Sequence, residues 1–187
     1  VGRELTLRQE GSAGTGAAQA RTGEGREIRL VRREGMRVES YHLYCEKGDI
    51  VIEASDSRGI LYGAFDLIRQ VKMENPLHLL DRTNAPLMPM RMLDHWDNIE
   101  RGYSGESFFF VKDQIVIDER TRDYARLAAS VGINAVVINN VNVKDAATWL
   151  ITDRYLDQVK QLSEVFAGYG IRLFLSLNYA APMELGE

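Results

Sequence analysis

Polar side chains follow three apolar segments in the second half of the chain, at the point where each segment ends. Asp97 and Asn98 follow the first segment, Asn140 ends the second and Asn178 ends the third. In parallel sheets, the carboxyl ends of the strands and the loops after them form the ligand-binding face. These residues are therefore candidates for binding a polar ligand. Capping of turn backbone is the alternative for the two later asparagines.

Other kinds of site find little support in the residue spacing. Asp94 and Asp97 lie three apart on one predicted strand, so their side chains point to opposite faces and cannot act as a facing carboxylate pair. His95 is expected to pack in the structure rather than to perform chemistry. Cys45 is predicted to be a buried thiol in a strand. The three histidines are scattered and no spacing is typical of a metal site, so we expect neither a metal nor a cofactor.

The elements that carry the candidate residues repeat along the chain. Residues 132–140 and 170–178 align position for position as Gly-Ile, an apolar run and a final asparagine. Each follows an amphipathic helix, at about 120–131 and 154–169, and this alternation predicts βαβ units in a parallel sheet. A barrel is favoured over a Rossmann-type sheet because no glycine-rich turn follows the first strand at 90–96.

The apolar positions of these two helices predict which of their sides face the sheet. The residues expected to face inward are Tyr124, Leu127, Ala128 and Val131 in the first helix and Leu156, Val159, Leu162 and Phe166 in the second. Gly132 is expected to end the first helix, and Thr152-Asp153 to cap the start of the second. Three consecutive phenylalanines at 108–110 are predicted to form the core of a loop.

The first half of the chain predicts a small sheet. Strands are expected at 27–34, 40–46 and 49–55, and the Lys-Gly dipeptide between the last two is typical of a tight hairpin turn. Their alternation of polar and apolar residues indicates a sheet with one covered face. Residues 11–25 hold hardly any large apolar side chain, and we expect them to form a mobile loop.

One helix follows this sheet. It is predicted from about residue 58 to residue 72, with Asp56-Ser57 offering its amino-terminal cap. The apolar stripe expected to lie on the sheet consists of Leu61, Ala64, Phe65, Ile68 and Val71. An extended linker that contains prolines then divides the chain into an accessory domain at 1–85 and a second domain at 86–187.

Composition narrows the classes of function. The 187 residues are 45% hydrophobic and carry a net charge of −4, with the basic residues dispersed. The sequence therefore has no basic cluster of the kind that binds nucleic acid or anionic membranes. No apolar run approaches the ~18 residues that a membrane span needs. The chain begins at Val1 without a methionine and ends directly after a strand-like run, and we expect both ends to be truncated. A cytoplasmic location is favoured, with secretion left open by the expected truncation.

Three runs in the second half carry a family resemblance. They are RMLDHWDNIERGYSGESFFF at 91–110, GINAVVINNVN at 132–142 and LFLSLNYAAPMELG at 173–186. These runs resemble the opening of the barrel in the α-glucuronidases of glycoside hydrolase family 67, and SDSRGILYGAFDLIRQ at 55–70 is similar to the helix that closes that family's amino-terminal domain. The resemblance implies an α/β fold, in which a truncated α+β sandwich-like domain precedes the first three βα units of a TIM (β/α)8 barrel.

The resemblance also implies an activity. The family removes glucuronic or 4-O-methylglucuronic acid that is α-1,2-linked to the terminal xylose of xylooligosaccharides, and it inverts the anomeric centre. Inversion needs one protonated carboxylic acid and one carboxylate base. In the family these lie on later barrel strands, so we expect them beyond Glu187 and no catalytic residue in this chain. The parent protein is expected to be a homodimer, and the chain alone to be inactive and marginally stable.

The resemblance implies two substrate-binding residues, Trp96 and Val141. Six more are predicted to bind sugar hydroxyls because they lie at or just past strand ends, namely Asp97, Asn98, Glu100, Arg101, Asn140 and Asn178. Trp96 matches a pocket-wall tryptophan that can stack on a sugar ring, with a core position as the alternative. Val141 matches a residue lining the space for the 4-O-methyl group, and Arg101 could pair with the uronate carboxylate. The chain departs from the family in having fewer residues between Asn98 and Glu100, which could reshape one wall of the pocket.

Two other functions stay open on the sequence. A related two-domain glycosidase such as a hexosaminidase also has a small α/β domain before a barrel, although its barrel motifs would differ from HWDN and NNVN. A non-catalytic carbohydrate-binding module is the other alternative. Residues 91–178 argue against it, because two and a half βα units cannot cover their own apolar faces.

Overall fold

A computed structural model of the chain describes residues 6–9, 18–21, 27–97, 107–111, 114–139, 149–150 and 152–176, together with Met183 and Gly186. The chain divides into two compact units, Val1–Pro89 and Met90–Glu187. Both mix strands and helices, which confirms the predicted α/β class. Within the described residues, no helix has the length and apolarity that crossing a bilayer would require.

The first unit contains one sheet of six strands. They are β1 (Thr6–Gln9), β2 (Ala18–Arg21), β3 (Glu27–Arg32), β4 (Tyr41–Glu46), β5 (Asp49–Ala54) and β6 (Asp81–Asn84). The order across the sheet is β1-β2-β3-β5-β4-β6. Only the pairing of β3 with β5 is parallel among these strands. The three strands predicted in this half are thereby confirmed.

The predicted hairpin is also confirmed. β4 and β5 pair antiparallel, and Glu46 lies opposite Asp49. Lys47 and Gly48 between them both have positive φ, at 53° and 94°. Two successive positive φ values are typical of the tight turns whose twist matches that of the flanking strands, which explains why glycine occupies the second position.

The expectation of a loop at 11–25 is wrong for part of that segment. β2 lies within it and pairs antiparallel with β1 on one side and β3 on the other. Composition misses such a strand because it indicates only how much side-chain surface can be buried. A strand between two neighbours is held by backbone hydrogen bonds on both edges.

Helix α1 (Ser57–Lys72) packs on the sheet of the first unit. Asp56 caps it as predicted, since its carboxylate accepts a hydrogen bond from the Gly59 amide at 2.9 Å. The same carboxylate accepts a bond from the Glu39 amide at 2.7 Å. One side chain therefore caps the helix and also binds the turn that precedes β4.

The predicted sheet-facing side of α1 is partly wrong, although Ala64 of the predicted stripe does pack against the core. Ile68 and Val71 of the predicted stripe are exposed, whereas the buried residues are Gly59, Tyr62, Gly63, Asp66, Leu67 and Gln70. A Cβ atom on Gly59 would lie 2.3 Å from the Ser40 carbonyl oxygen. The helix therefore approaches the sheet along its glycines, and this close approach rather than the apolar stripe selects the buried side.

A buried carboxylate joins α1 to two strands. Asp66 is 2% exposed and accepts hydrogen bonds of 2.9 Å each from Tyr41 Oη of β4, Gln70 Nε2 and Arg82 Nε of β6. Burial by itself raises the pKa of the Asp66 carboxyl. The bonds from Arg82, Gln70 and Tyr41 outweigh that effect and hold the pKa below its ordinary value.

The second unit contains a sheet of three parallel strands, a short hairpin and two long helices. The strands of the sheet are β7 (Met92–Trp96), β10 (Ala135–Asn139) and β11 (Arg172–Leu175), the hairpin is β8 (Phe110–Val111) with β9 (Gln114–Ile115), and the helices are α2 (Glu119–Ser130) and α3 (Asp153–Ala167). The order β7-β10-β11 follows the chain, with α2 and α3 in the two connections. The predicted parallel βαβ units are confirmed.

Asn134 fixes the amino-terminal edge of this sheet. Its fully buried side chain accepts a hydrogen bond from the backbone amide of Arg91 at 2.9 Å, and its backbone amide donates to the Arg91 carbonyl at 3.1 Å. The Asn134 carbonyl also accepts a bond from the Arg172 amide at 3.0 Å. One residue thus ties together the points where the three parallel strands begin.

The predicted inner sides of α2 and α3 are partly wrong. Leu127, Val131 and Leu156 are exposed, whereas the buried residues are Thr121, Ala125, Ala128 and Ala129 in α2 and Tyr155, Leu162 and Phe166 in α3. Small residues dominate the buried side of α2, and Thr121 is accommodated there because its hydroxyl donates to the Val116 carbonyl at 3.2 Å. Gly132 follows α2 with φ 84°, as predicted for its end.

We predict that Gly59→Ala lowers the free energy of unfolding by about 1–3 kcal/mol, because the new methyl group would meet backbone of the sheet. This cost outweighs the gain of about 1 kcal/mol in helix propensity. Urea denaturation followed by circular dichroism measures the change. Gly168→Ala is the control, since a Cβ there comes no closer than 3.4 Å to Val165 O. An equal effect of the two changes would contradict the close approach of α1.

We predict that Asp66→Asn lowers the unfolding free energy by about 1–3 kcal/mol at neutral pH. The lowered pKa means that the carboxylate contributes stability above the ordinary carboxyl pKa, and this contribution is lost as the pH falls through the folded-state pKa. Urea unfolding over a pH series measures both effects. Glu46→Gln, which breaks an exposed pair with Arg29, should cost less than about 1 kcal/mol. If the unfolding free energy of Asp66→Asn fell with decreasing pH as steeply as that of the wild type, the prediction would be refuted.

Candidate functional site

The carboxyl ends of the three parallel strands lie at one edge of their sheet. Trp96 of β7 lies opposite Asn139 of β10, and Ile138 of β10 lies opposite Leu175 of β11. The amide of Ser176 continues this pairing by donating to the Ile138 carbonyl at 3.0 Å. The prediction that these segments are parallel neighbours is therefore confirmed.

The side chains of β7 alternate between the two faces of this sheet. Met92, Asp94 and Trp96 share one face and are exposed, Trp96 at 68%. His95 points to the other face, where it contacts Tyr124 of α2. We refer to the first as the open face. Trp96 lies on it at the edge where the strands end.

His95 is packed among aromatic rings. Its ring centroid lies 4.9 Å from that of Phe109, 5.2 Å from that of Tyr124 and 5.6 Å from that of Phe108. Its Nδ1 atom lies 3.0 Å from Tyr124 Oη. The prediction that His95 packs, and the prediction that the phenylalanines form loop core, are both confirmed, with Phe109 fully buried.

Burial controls the ionisation of this aromatic cluster. It lowers the pKa of His95 below the ordinary histidine value, although the carboxylates of Asp97 and Asp94 oppose the shift. Burial, with a smaller contribution from the Asp97 charge, raises the pKa of Tyr124 to about 12. The cluster is therefore neutral at physiological pH, which suits a packing role.

Asp97 is buried directly after Trp96. It is 3% exposed, and its Oδ1 accepts hydrogen bonds from Ser107 Oγ at 2.6 Å and the Phe108 amide at 2.8 Å. Its Oδ2 accepts a bond from the Phe109 amide at 3.1 Å. Both carboxylate oxygens thus hold the turn at 107–109 against the end of β7.

Two of the eight predicted substrate-binding residues fall within the described residues, namely Trp96 and Asp97. They lie next to each other in the chain but in contrasting surroundings, one exposed and one buried. The other six lie outside the described residues, and their roles stay predictions: Asn98, Glu100, Arg101, Asn140, Val141 and Asn178.

Two residues of this region were not identified from the sequence. Ser107 binds Asp97 and also accepts a hydrogen bond from the Phe110 amide at 2.9 Å. Arg120 of α2 donates to the Phe108 carbonyl at 2.7 Å, and its guanidinium lies 4.5 Å from the centroid of the Phe108 ring. Neither residue has a periodicity or motif that would single it out. Among the described residues, no group of three or more histidine, cysteine or carboxylate side chains is placed to hold a metal ion.

A comparison with protein families gives one match. The glycosyl hydrolase family 67 middle domain matches residues 70–187. The matched segment includes all three parallel strands, Trp96 and Asp97. It therefore covers the whole of the candidate site.

Curated relatives include fungal proteins named for one activity. "Probable alpha-glucuronidase A" of Aspergillus terreus is 40% identical over 154 residues, which is 80% of this chain and 18% of the relative. "Alpha-glucuronidase A" of Emericella nidulans is 37% identical over 159 residues, which is 79% of this chain and 18% of the relative. The chain thus spans less than a fifth of the length of these relatives.

Solved structures with a similar fold include glycosidases of other families. A family GH20 exo-β-N-acetylglucosaminidase from Vibrio harveyi aligns with a TM-score of 0.58 at 14% identity, covering 85% of this chain and 29% of that protein. A GH138 enzyme targeting pectin rhamnogalacturonan II aligns with a TM-score of 0.52 at 14% identity, covering 78% and 19%. At such low identity the likeness concerns the fold alone.

We predict that His95 titrates below the ordinary histidine pKa of about 6.5, as measured by NMR of its ring protons. A lowered folded-state pKa means that the stability contributed by neutral His95 is complete above the ordinary pKa and is lost as the pH falls toward the folded-state value. In the double variant His95→Phe, Tyr124→Phe, which removes the titrating ring with its hydroxyl partner, unfolding free energy should fall less steeply on acidification. Retention of the wild-type slope would contradict this role of His95.

Proposed function

The chain belongs to glycosyl hydrolase family 67, and from that membership we propose that it is part of an inverting α-glucuronidase. The substrate is a xylooligosaccharide, from which the enzyme removes glucuronic or 4-O-methylglucuronic acid that is α-1,2-linked to the terminal xylose. The names of the curated relatives support the activity. The whole enzyme is proposed to be a homodimer.

Within the chain itself, the observation that supports this proposal is the exposed indole of Trp96. A large aromatic side chain left 68% exposed at the ligand-binding edge of a parallel sheet suits stacking on the apolar face of a sugar ring. Its neighbour in register is Asn139, the last residue of β10. The next two residues in the chain, Asn140 and Val141, are predicted pocket residues.

The architecture proposed for the complete enzyme is a catalytic barrel after an accessory domain. β7, β10 and β11 would be its first three strands, since parallel neighbours that follow chain order with helical crossovers are the building units of a TIM barrel. The accessory domain corresponds to 1–85, and 86–187 forms the start of the barrel. The fold likeness to other glycosidases supports this arrangement.

The chemistry requires two carboxyl groups that lie outside this chain. An inverting glycosidase holds its acid and its base roughly 6.5–9.5 Å apart, so that a water molecule fits between the base and the sugar. Both are proposed to lie on barrel strands beyond Glu187. The part played by this chain is to bind and orient the uronic acid. The pocket residues proposed beside Trp96 are Asn98, Glu100, Arg101, Asn140, Val141 and Asn178.

A second candidate is a hexosaminidase-like activity. The sequence leaves it open, while the likeness to a GH20 enzyme, with a TM-score of 0.58 at 14% identity, concerns the fold alone. The curated relatives argue for the first candidate, because they share sequence as well as fold and are named alpha-glucuronidases. Substrate separates the two, since one enzyme binds a carboxylate-bearing sugar and the other an N-acetylated one.

The test is an assay of the full-length protein encoded by the gene that carries this chain. We predict release of 4-O-methylglucuronic acid from aldouronic acids and no cleavage of β-N-acetylglucosaminides. Trp96→Ala should raise KM by about tenfold through loss of stacking, whereas Trp149→Phe, a change at the other tryptophan, should leave KM within about twofold. Cleavage of the N-acetylated substrate alone would favour the second candidate, and equal kinetics in Trp96→Ala and wild type would refute the stacking role.

A further inference from the structure

Asp97 stands beside the proposed sugar-stacking side chain but points the other way. Successive side chains at a strand end alternate between faces, so a residue held on the helix side forces its neighbour onto the open face. Asp97 is held on the helix side, where it is 3% exposed and contacts the turn at 107–109. Trp96 is 68% exposed on the opposite face.

The turn that holds Asp97 is itself anchored in the aromatic cluster. Phe109 is fully buried, and its ring centroid lies 4.9 Å from that of His95 and 6.3 Å from that of Phe166 of α3. Arg120 of α2 binds the Phe108 carbonyl. Asp97 therefore connects the end of β7 to the two helices through a turn that cannot move without disturbing packed rings.

The carboxylate suits this task better than a neutral side chain would. The Phe108 amide donates to Oδ1 and the Phe109 amide to Oδ2, so both oxygens must act as acceptors. An asparagine of the same shape would turn its NH2 group toward one of these donors. Hydrogen bonds to a charged acceptor are also stronger than neutral ones, which offsets part of the cost of burying the charge.

We propose that Asp97 is a positioning residue, which holds the end of β7 and so fixes the direction in which the Trp96 side chain leaves the strand, and that it does not itself contact the sugar. This inference rests on the proposed function in one respect, since Trp96 is taken as the stacking side chain. It revises the sequence-based assignment of Asp97 to substrate binding. The physical claim is that three hydrogen bonds on one face determine where an indole lies on the other.

The test uses the 187-residue chain with Trp149→Phe as background, which leaves Trp96 as the only tryptophan. In that background, Asp97→Asn should release the amides of Phe108 and Phe109, raising their hydrogen-exchange rates by about tenfold. The amides of Val136 and Ile138 in β10 should exchange at unchanged rates. The fluorescence anisotropy of Trp96 should fall because the end of β7 that carries the indole gains freedom to move. Asp94→Asn, an exposed carboxylate on the same strand, should change neither readout.

Two results would overturn the proposal. One is a Trp96 anisotropy in Asp97→Asn equal to that in Asp94→Asn. The other is faster exchange throughout β10 as well as at the turn, because Asp97 would then contribute only to overall stability. If Asp97→Asn does not fold, Ser107→Ala decides the matter, since it keeps the carboxylate and removes one donor. It should lower the anisotropy by a smaller amount, and no change would refute the positioning role.

Kinetics of the full-length protein give an independent readout. Asp97→Asn should raise KM by about tenfold while kcat stays within about twofold, because a displaced indole weakens binding without touching the reacting bond. A fall in kcat with an unchanged KM would count against positioning of Trp96. Exchange and anisotropy need no substrate, so they test the role of Asp97 even if the full-length protein releases no uronic acid.

Discussion

The parallel pairing of β10 with β7 on one side and β11 on the other is the constraint on which the second unit depends. Parallel neighbours cannot be joined by a tight turn, so a crossover must carry the chain back along the sheet, and α2 and α3 occupy these crossovers. The same pairing brings all three carboxyl ends to one edge. Residues far apart in sequence, such as Trp96 and Asn139, become neighbours there because they end adjacent strands.

Two buried aspartates stabilise the two units in different ways. Asp66 accepts hydrogen bonds from the Arg82 guanidinium, the Tyr41 hydroxyl and the Gln70 side-chain amide. These donors lie on one helix and two strands of the first unit, and the Arg82 cation balances the charge of the carboxylate. Asp97 receives a hydroxyl and two backbone amides from one turn. The first therefore fastens distant elements together, whereas the second orders a strand end beside the candidate site. In both cases the donors offset a desolvation that an unpaired carboxylate could not bear.

The helix faces show where apolar periodicity misleads. The apolar stripes predict that Ile68, Leu127 and Leu156 face inward, and all three are exposed. The buried sides of α1 and α2 are rich in small residues instead, with Gly59 and Gly63 in the first helix and three alanines in the second. Periodicity gives weight to large apolar side chains, but close approach between packed elements favours small ones, and only the neighbouring surface decides between them.

By itself, the sequence determined the α/β class, the hairpin at residues 47–48, the cap of α1 and the parallel repeat that places Trp96 at a strand end, because each of these depends on local residue types or on a repeated pattern. Tertiary structure alone decided which side of each helix is buried, that β2 is an inner strand, and that Asp97 lies inside while Trp96 lies outside. The physical reason is the same in each case. These outcomes depend on partners distant in the chain, such as Ser107 for Asp97 and Ser40 for Gly59, and no local pattern specifies a distant partner.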